Sequence, residues 1–140
     1  MPASGQHRIM LERSWTLPAE PASVSAARQR VAAYANDHCV PEPPLEDLKL
    51  AVTEAITNCV VHAFRSSDQP GTFTVRVHVE PCHSVTVSVA DDGEGMGPRV
   101  DSPGLGLGLG LISALATSTE LRTPATGRGT EVCMCFALTG

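Results

Sequence analysis

Two runs of alternating valines constrain this chain more than any other feature. Phe73, Val75, Val77 and Val79 are separated by polar residues, and Val85, Val87 and Val89 repeat the pattern after a break at Pro81 to Ser84. Successive strand side chains point to opposite sides, so each run collects its apolar residues on one face and its polar residues on the other. The pair reads as a hairpin with one face that must be covered. At 140 residues the chain has the length of one domain around a single core, and the cover has to come from its own helices.

Two segments have the right pattern. From about Ser23 to Asp37, Val24, Ala27, Val31, Tyr34 and Ala35 fall on one side of a helix. The "PEPP" turn, Pro41 to Pro44, ends it and starts the next, with Glu46 and Asp47 in a first turn where acidic groups suit the helix dipole. In "LKLAVTEAITNCVVHAF", Leu48 to Phe64, the core-facing stripe is Leu48, Val52, Ala55, Ile56 and Cys59, extended by Ala51 and Ala63. Glu54, Asn58 and His62 recur every fourth residue as a polar row, with Thr57 beside it. An E-x-x-x-N pair alone is what a solvated helix face also offers.

Around these lie a short first strand in residues 8–17, a glycine-rich stretch leading into a helix that runs to about Thr117, and two last strands near Thr119 to Thr123 and Thr130 to Leu138. The order is strand, helix, helix, strand, strand, helix, strand, strand, with no internal repeat. It predicts an α/β class fold, a two-layer α/β sandwich with a mixed sheet and its helices on one face, as a single domain over residues 1–140.

Ten basic and fifteen acidic residues give a formal net charge of −5 and no basic stripe, so direct nucleic-acid binding is not expected. The longest apolar stretch, Gly104 to Ala116, is shorter than the roughly twenty residues a membrane helix needs and is interrupted by glycine. The amino terminus lacks the basic, apolar and small-residue series of a secretory signal, which leads to the expectation of a cytoplasmic chain. Five cysteines, Cys39, Cys59, Cys82, Cys133 and Cys135, show no C-x-x-C spacing, and reduced thiols are expected. Cys82-His83 with His78 has no second compact ligand pair, so a zinc site is not expected either.

Three glycine-containing motifs remain. "DDGEGMG" sets Asp91 at the end of the second valine strand, with Gly93 and Gly95 after it. An ionised carboxylate is an acceptor only, suited to a ligand amino group, and glycines let a flat ring approach the backbone. The acidic residue that would close a calcium loop is missing at its spacing. Gly104, Gly106, Gly108 and Gly110 precede or open a helix, where free N–H groups favour phosphates, although a tight helix start packed on the sheet would use the same residues. The run is neither a lysine-bearing phosphate loop nor a dinucleotide fingerprint. In "GRGTE", Gly127 to Glu131, Thr130 puts a hydroxyl beside glycines where a strand begins.

In this order the E-x-x-x-N helix, D-x-G-x-G, the G-x-G-L-G run and G-x-G-T resemble the GHKL ATPase superfamily, which includes gyrase, mismatch-repair ATPases and sensor histidine kinases. The resemblance covers nearly the whole chain, and the Leu48 to Phe64 stretch looks most like the anti-sigma-factor serine/threonine kinases of bacterial stress and sporulation switches. It implies a Bergerat-type ATP-binding fold with ATP and Mg²⁺. Glu54 would be the catalytic base, Asn58 a Mg²⁺ ligand and Asp91 the acceptor for the adenine amino group. Gly93 and Gly95 would line the base, Gly104, Gly106 and Gly108 would wrap the phosphates, and Thr130 would support the adenine side. His62 receives no role. Arg28, in "SAARQRVAAY", matches an arginine that contacts protein partners in this family.

The resemblance further implies a kinase that sequesters a sigma factor and phosphorylates an anti-anti-sigma (STAS-type) antagonist, and it leaves a homodimer open. A departure from the pattern is the short segment "GPRVDSP" between Met96 and Gly104, where the lid over ATP would lie, with Arg99 and Arg128 the nearby cations. That departure keeps a non-catalytic ATP-dependent binding module as the alternative, with a detached histidine-kinase-like ATPase domain behind it.

Overall fold

The computed structural model describes residues 11–66, 71–91, 110–123 and 129–138, the side chains of residues 62–66 excepted. In chain order the elements are β1 (Leu11–Pro18), α1 (Pro21–Asp37), α2 (Pro44–Ser66), β2 (Thr72–Glu80), β3 (Ser84–Asp91), a helical stretch α3 over residues 110–115, β4 (Ser118–Arg122) and β5 (Glu131–Ala137).

The valine runs form β2 and β3 as expected, joined through a turn at residues 81–83 in which Cys82 adopts a φ of 67°. In their antiparallel register Val75 lies opposite Val89, Val77 opposite Val87 and Val79 opposite Val85. β5 continues the same face with Val132, Met134 and Phe136, each opposite one of the β3 valines. All of these side chains are buried. The other face is polar: Thr16 and Thr74 hydroxyls are 2.9 Å apart, and Arg76 pairs with Glu12 at 3.4 Å.

α1 and α2 cover the apolar face. Pro21 and Pro44 open the two helices, positions where the missing N–H has no helical partner to lose. The Glu46 N–H is capped by Glu42 Oε1 at 3.1 Å. Ser23, Ala27, Val31 and Ala35 form the buried row of α1, and their small size lets it lie close on its neighbours. α2 contributes the larger wedge: Leu48, Val52, Ile56 and Cys59 are buried with Ala51, Ala55 and Val60. At the sheet edge Trp15 of β1 packs edge-on against Tyr34 of α1, with ring centroids 6.1 Å apart.

The α/β sandwich with helices on one face is therefore as expected, but the sheet is not mixed. Its order is β1-β2-β3-β5-β4, and the four pairings among the described residues are all antiparallel. The α3 crossover does bring β4 back parallel to β3, but one place too far out to pair with it. β5 fills the gap and is antiparallel to both. α3 also ends earlier than the expected Thr117, at residue 115, because the Thr117 N–H is already bonded to Cys135 O of β5 at 2.7 Å, just before β4 begins. Ile112, fully buried, anchors α3 to the core.

Candidate functional site

The polar flank of α2 carries Glu54, Thr57 and Asn58, all half-buried, one helical turn apart or less. Their neighbours Ala55, Ile56 and Cys59 are buried, so the side chains that hold the helix to the sheet also fix where Glu54 and Asn58 emerge. The His62 side chain lies outside the described residues.

Across from this helix, Asp91 is the last residue of β3 and lies opposite Phe73 of β2. Its N–H donates to Thr130 O at 3.0 Å, one residue before β5 begins, and its Oδ2 is buried. Thr130 is itself only 6% exposed. Asp91 and Thr130, far apart in the chain, are thus direct neighbours. A third residue joins them to α2. The Cys59 thiol is pushed well above its ordinary range, first by burial and then by the negative charge of Asp91. Cys59 follows Asn58 in sequence, and the charge of Asp91 reaches it across the helix–sheet interface.

Sequence reasoning missed two residues at this point. Cys59 was legible as a core residue, but its proximity to Asp91 depends on how α2 crosses the sheet, which no periodicity encodes. Gly129 sits in the glycine pair before Thr130, and its importance is tertiary. Its φ is +82°, and the place a Cβ would occupy is filled by Asp91 O, with Oδ1 at 2.9 Å. The presence of two glycines flanking an arginine was the available signal.

Arg28 is on α1, part-buried, and its Nη2 donates to Ser25 Oγ at 3.3 Å. No described contact links it to the Asp91 region. Gly93, Gly95, Gly104, Gly106, Gly108, Arg99 and Arg128 lie outside the described residues. Among the described residues no group of three His, Cys, Asp or Glu side chains could hold a metal ion. On the polar flank of α2 the Glu54 carboxylate and the Asn58 amide oxygen are hard oxygen donors one turn apart, of the kind that suits Mg²⁺, which keeps several of its waters and takes few protein ligands. No described helix is long and apolar enough to cross a membrane.

The described residues thus give an α/β sandwich with a carboxylate, Asp91, at a strand end next to Thr130, and a helix on the covering layer with an acid and an amide, Glu54 and Asn58, one turn apart. Residues 17–136 match the family described as histidine kinase-like ATPase domain, and the chain belongs to that family. It is 40% identical over 77 residues to the serine-protein kinase RsbW of Listeria innocua, covering 55% of this chain and 48% of that protein. It is 36% identical over 72 residues to the anti-sigma F factor of Caldanaerobacter subterraneus, covering 51% of this chain and 48% of that protein. The chain thus spans about half the length of the curated relatives it matches. A solved structure of the RsbU and RsbW domains of a Mycobacterium tuberculosis protein superposes with a TM-score of 0.70 over 91% of this chain and 32% of that chain. At 19% identity that likeness bears on the fold.

Proposed function

We propose that this chain is an ATP-dependent protein serine kinase that also acts as an anti-sigma factor, sequestering a sigma factor and phosphorylating an anti-anti-sigma antagonist in the cytoplasm. The observation that carries the reading is that Glu54 and Asn58 lie half-buried one turn apart on α2, and that the next residue, Cys59, is buried near enough to the end of β3 for the charge of Asp91 to act on it. The names of the relatives, serine-protein kinase and anti-sigma F factor, support the choice of reaction.

Each residue then has a defined task. Asp91 accepts a hydrogen bond from the adenine amino group, and an acceptor-only carboxylate rejects a purine that presents a carbonyl there. Thr130 backs this side. The Asn58 amide oxygen would hold Mg²⁺, which when bound would neutralise charge on the phosphates. Glu54, on the next turn of the same face, takes the proton from the attacking serine hydroxyl of the antagonist as the phosphoryl group is transferred. Gly93 and Gly95 line the base, and Gly104, Gly106 and Gly108 enclose the phosphates. Arg28 contributes to a partner-binding face on α1 through bonds to carboxylates. Exchange between the two partners requires that the ATP and ADP forms differ in affinity for them, because a nucleotide that binds both complexes equally shifts nothing.

The test is Glu54→Gln, which keeps size and polarity and removes the base. Phosphoryl transfer to the antagonist, read by mass spectrometry of its serine, is expected to fall by about 10²–10⁴ while ATP affinity is retained. A wild-type chain that binds ATP and partner yet leaves the antagonist unmodified establishes the binding-module alternative, and a Gln variant at full rate removes Glu54 from the chemistry.

A further inference from the structure

We infer that Gly129 is a positioning residue for Asp91, setting the direction of its carboxylate and with it the preference for a purine that carries an amino group. The inference rests on the reading of Asp91 as the adenine acceptor. A carboxylate on the last residue of a strand has few neighbours to choose its rotamer, and an ill-directed acceptor discriminates poorly between bases. Here the end of β3 has neighbours both in the chain leading into β5 and on α2. The Asp91 N–H is fixed on Thr130 O at 3.0 Å. On the helix side lies Cys59, buried and close enough for the charge of Asp91 to act on it.

Gly129 packs on Asp91 as well. The position its Cβ would take lies inside the contact envelope of Asp91 O, 2.9 Å from Asp91 Oδ1 and 3.0 Å from the Asp91 carbonyl carbon. The backbone at residue 129 therefore packs directly on both the main chain and the carboxylate of Asp91, with no side chain between. Two separate demands meet at this residue. The φ of +82° disfavours L side chains in general, and Asn tolerates it better than Ala. The lack of space excludes every Cβ alike. A residue present only to make a turn would obey the first demand, whereas a positioning residue obeys the second. Any Cβ here must push Asp91 O away, lengthen the bond to Thr130 and rotate Oδ1 off its line.

The experiment compares ATP with purine riboside triphosphate, which lacks only the exocyclic amino group, by calorimetry on the full chain. Wild type is expected to prefer ATP by about tenfold to a hundredfold, the span of one charge-assisted hydrogen bond. Gly129→Ala and Gly129→Asn are both expected to reduce that preference to within about threefold, while affinity for purine riboside triphosphate stays within about threefold of wild type. General damage to the site would lower both affinities together and overturns the inference. Asp91→Asn should remove the preference as well, and Gly129→Ala added to Asp91→Asn should cost nothing more on the same ratio, because the glycine acts through the carboxylate.

Retention of the preference by Gly129→Ala, or by Gly129→Asn alone, overturns the positioning role while leaving Asp91 in place. Retention by Asp91→Asn, or no preference in wild type, overturns the adenine assignment itself. Should the glycine variants not fold, amide exchange in wild type addresses the same contact. The Asp91 N–H, held on Thr130 by this approach, should be as protected as that of Val87 in mid-strand, and exchange at the rate of an exposed amide overturns the inference.

Discussion

Asn58 and Cys59 are consecutive residues with different surroundings, one half-buried on the polar flank of α2 and the other in the core. If the Asn58 amide oxygen is a Mg²⁺ ligand, Asn58→Ala should cost nucleotide affinity in the presence of magnesium and little in its absence. Titrations with Mg²⁺ and with a chelator check this, and equal losses would make Asn58 a direct nucleotide contact or a structural residue. Cys59 has a different signature, in pH. Burial and the charge of Asp91 raise its pKa in the folded state, so the folded protein keeps a proton that an unfolded thiol releases at about pH 8.5. The stabilisation is complete below that pH and is lost as pH rises toward the folded value, at a slope of up to about 1.4 kcal/mol per unit. Denaturant unfolding at pH 8 and pH 10 should show a smaller decline for Cys59→Ala than for wild type; Cys133, raised by its own partial burial, is common to both and cancels. The polar row of α2 and Asp91 at its strand end were legible because periodicity and a strand boundary are local properties. The brace around Asp91 was not, because Cys59, Gly129 and Thr130 reach it only through the fold.

α2 shows at the level of an element how far a local pattern goes. Its buried stripe was read residue by residue from the 3.6-residue period, and Leu48, Val52, Ala55, Ile56 and Cys59 are all buried. The pattern also contains apolar residues that do not pack: Leu50 and Val61 are 49% and 46% exposed, on the ridge opposite the core. Ile56→Ala should therefore cost about 2–5 kcal/mol of stability and Leu50→Ala within about 0.5 kcal/mol, measured by urea unfolding. Similar costs for the two would mean that the helix is rotated from the orientation described. Sheet order is where local pattern stops. Alternation told which face of the strand is buried for β2 and β3, and did so correctly, but it contains nothing about which strands are neighbours. Hence the antiparallel β1-β2-β3-β5-β4 order, with β4 outermost, replaced the expected mixed sheet.

For the molecule as a whole, a ligand that binds only the folded form must raise its melting temperature. At a free MgATP concentration a hundred times Kd the stabilisation is about 2.7 kcal/mol, or roughly 8 °C for a domain of this size, and differential scanning fluorimetry should show the shift. No shift at saturating MgATP would contradict ATP binding. The position of β5 adds a temporal dimension. Among the described residues it is the fifth strand in chain order, yet it lies inside the sheet, between β3 and β4. On a nascent chain β3 is an edge strand until β5 has been translated, and β4 has no described strand to pair with. The residue that bonds the Asp91 N–H, Thr130, directly precedes β5. Pairing between segments distant in the chain forms late because loop closure must come first, so on the proposed reading of Asp91 the adenine end of the site assembles only once β5 has joined β3. On that reading, a ribosome-bound intermediate carrying both helices and the hairpin would have Glu54 and Asn58 on a formed α2 and still be blind to nucleotide, which ties the capacity to bind ATP to the synthesis of β5.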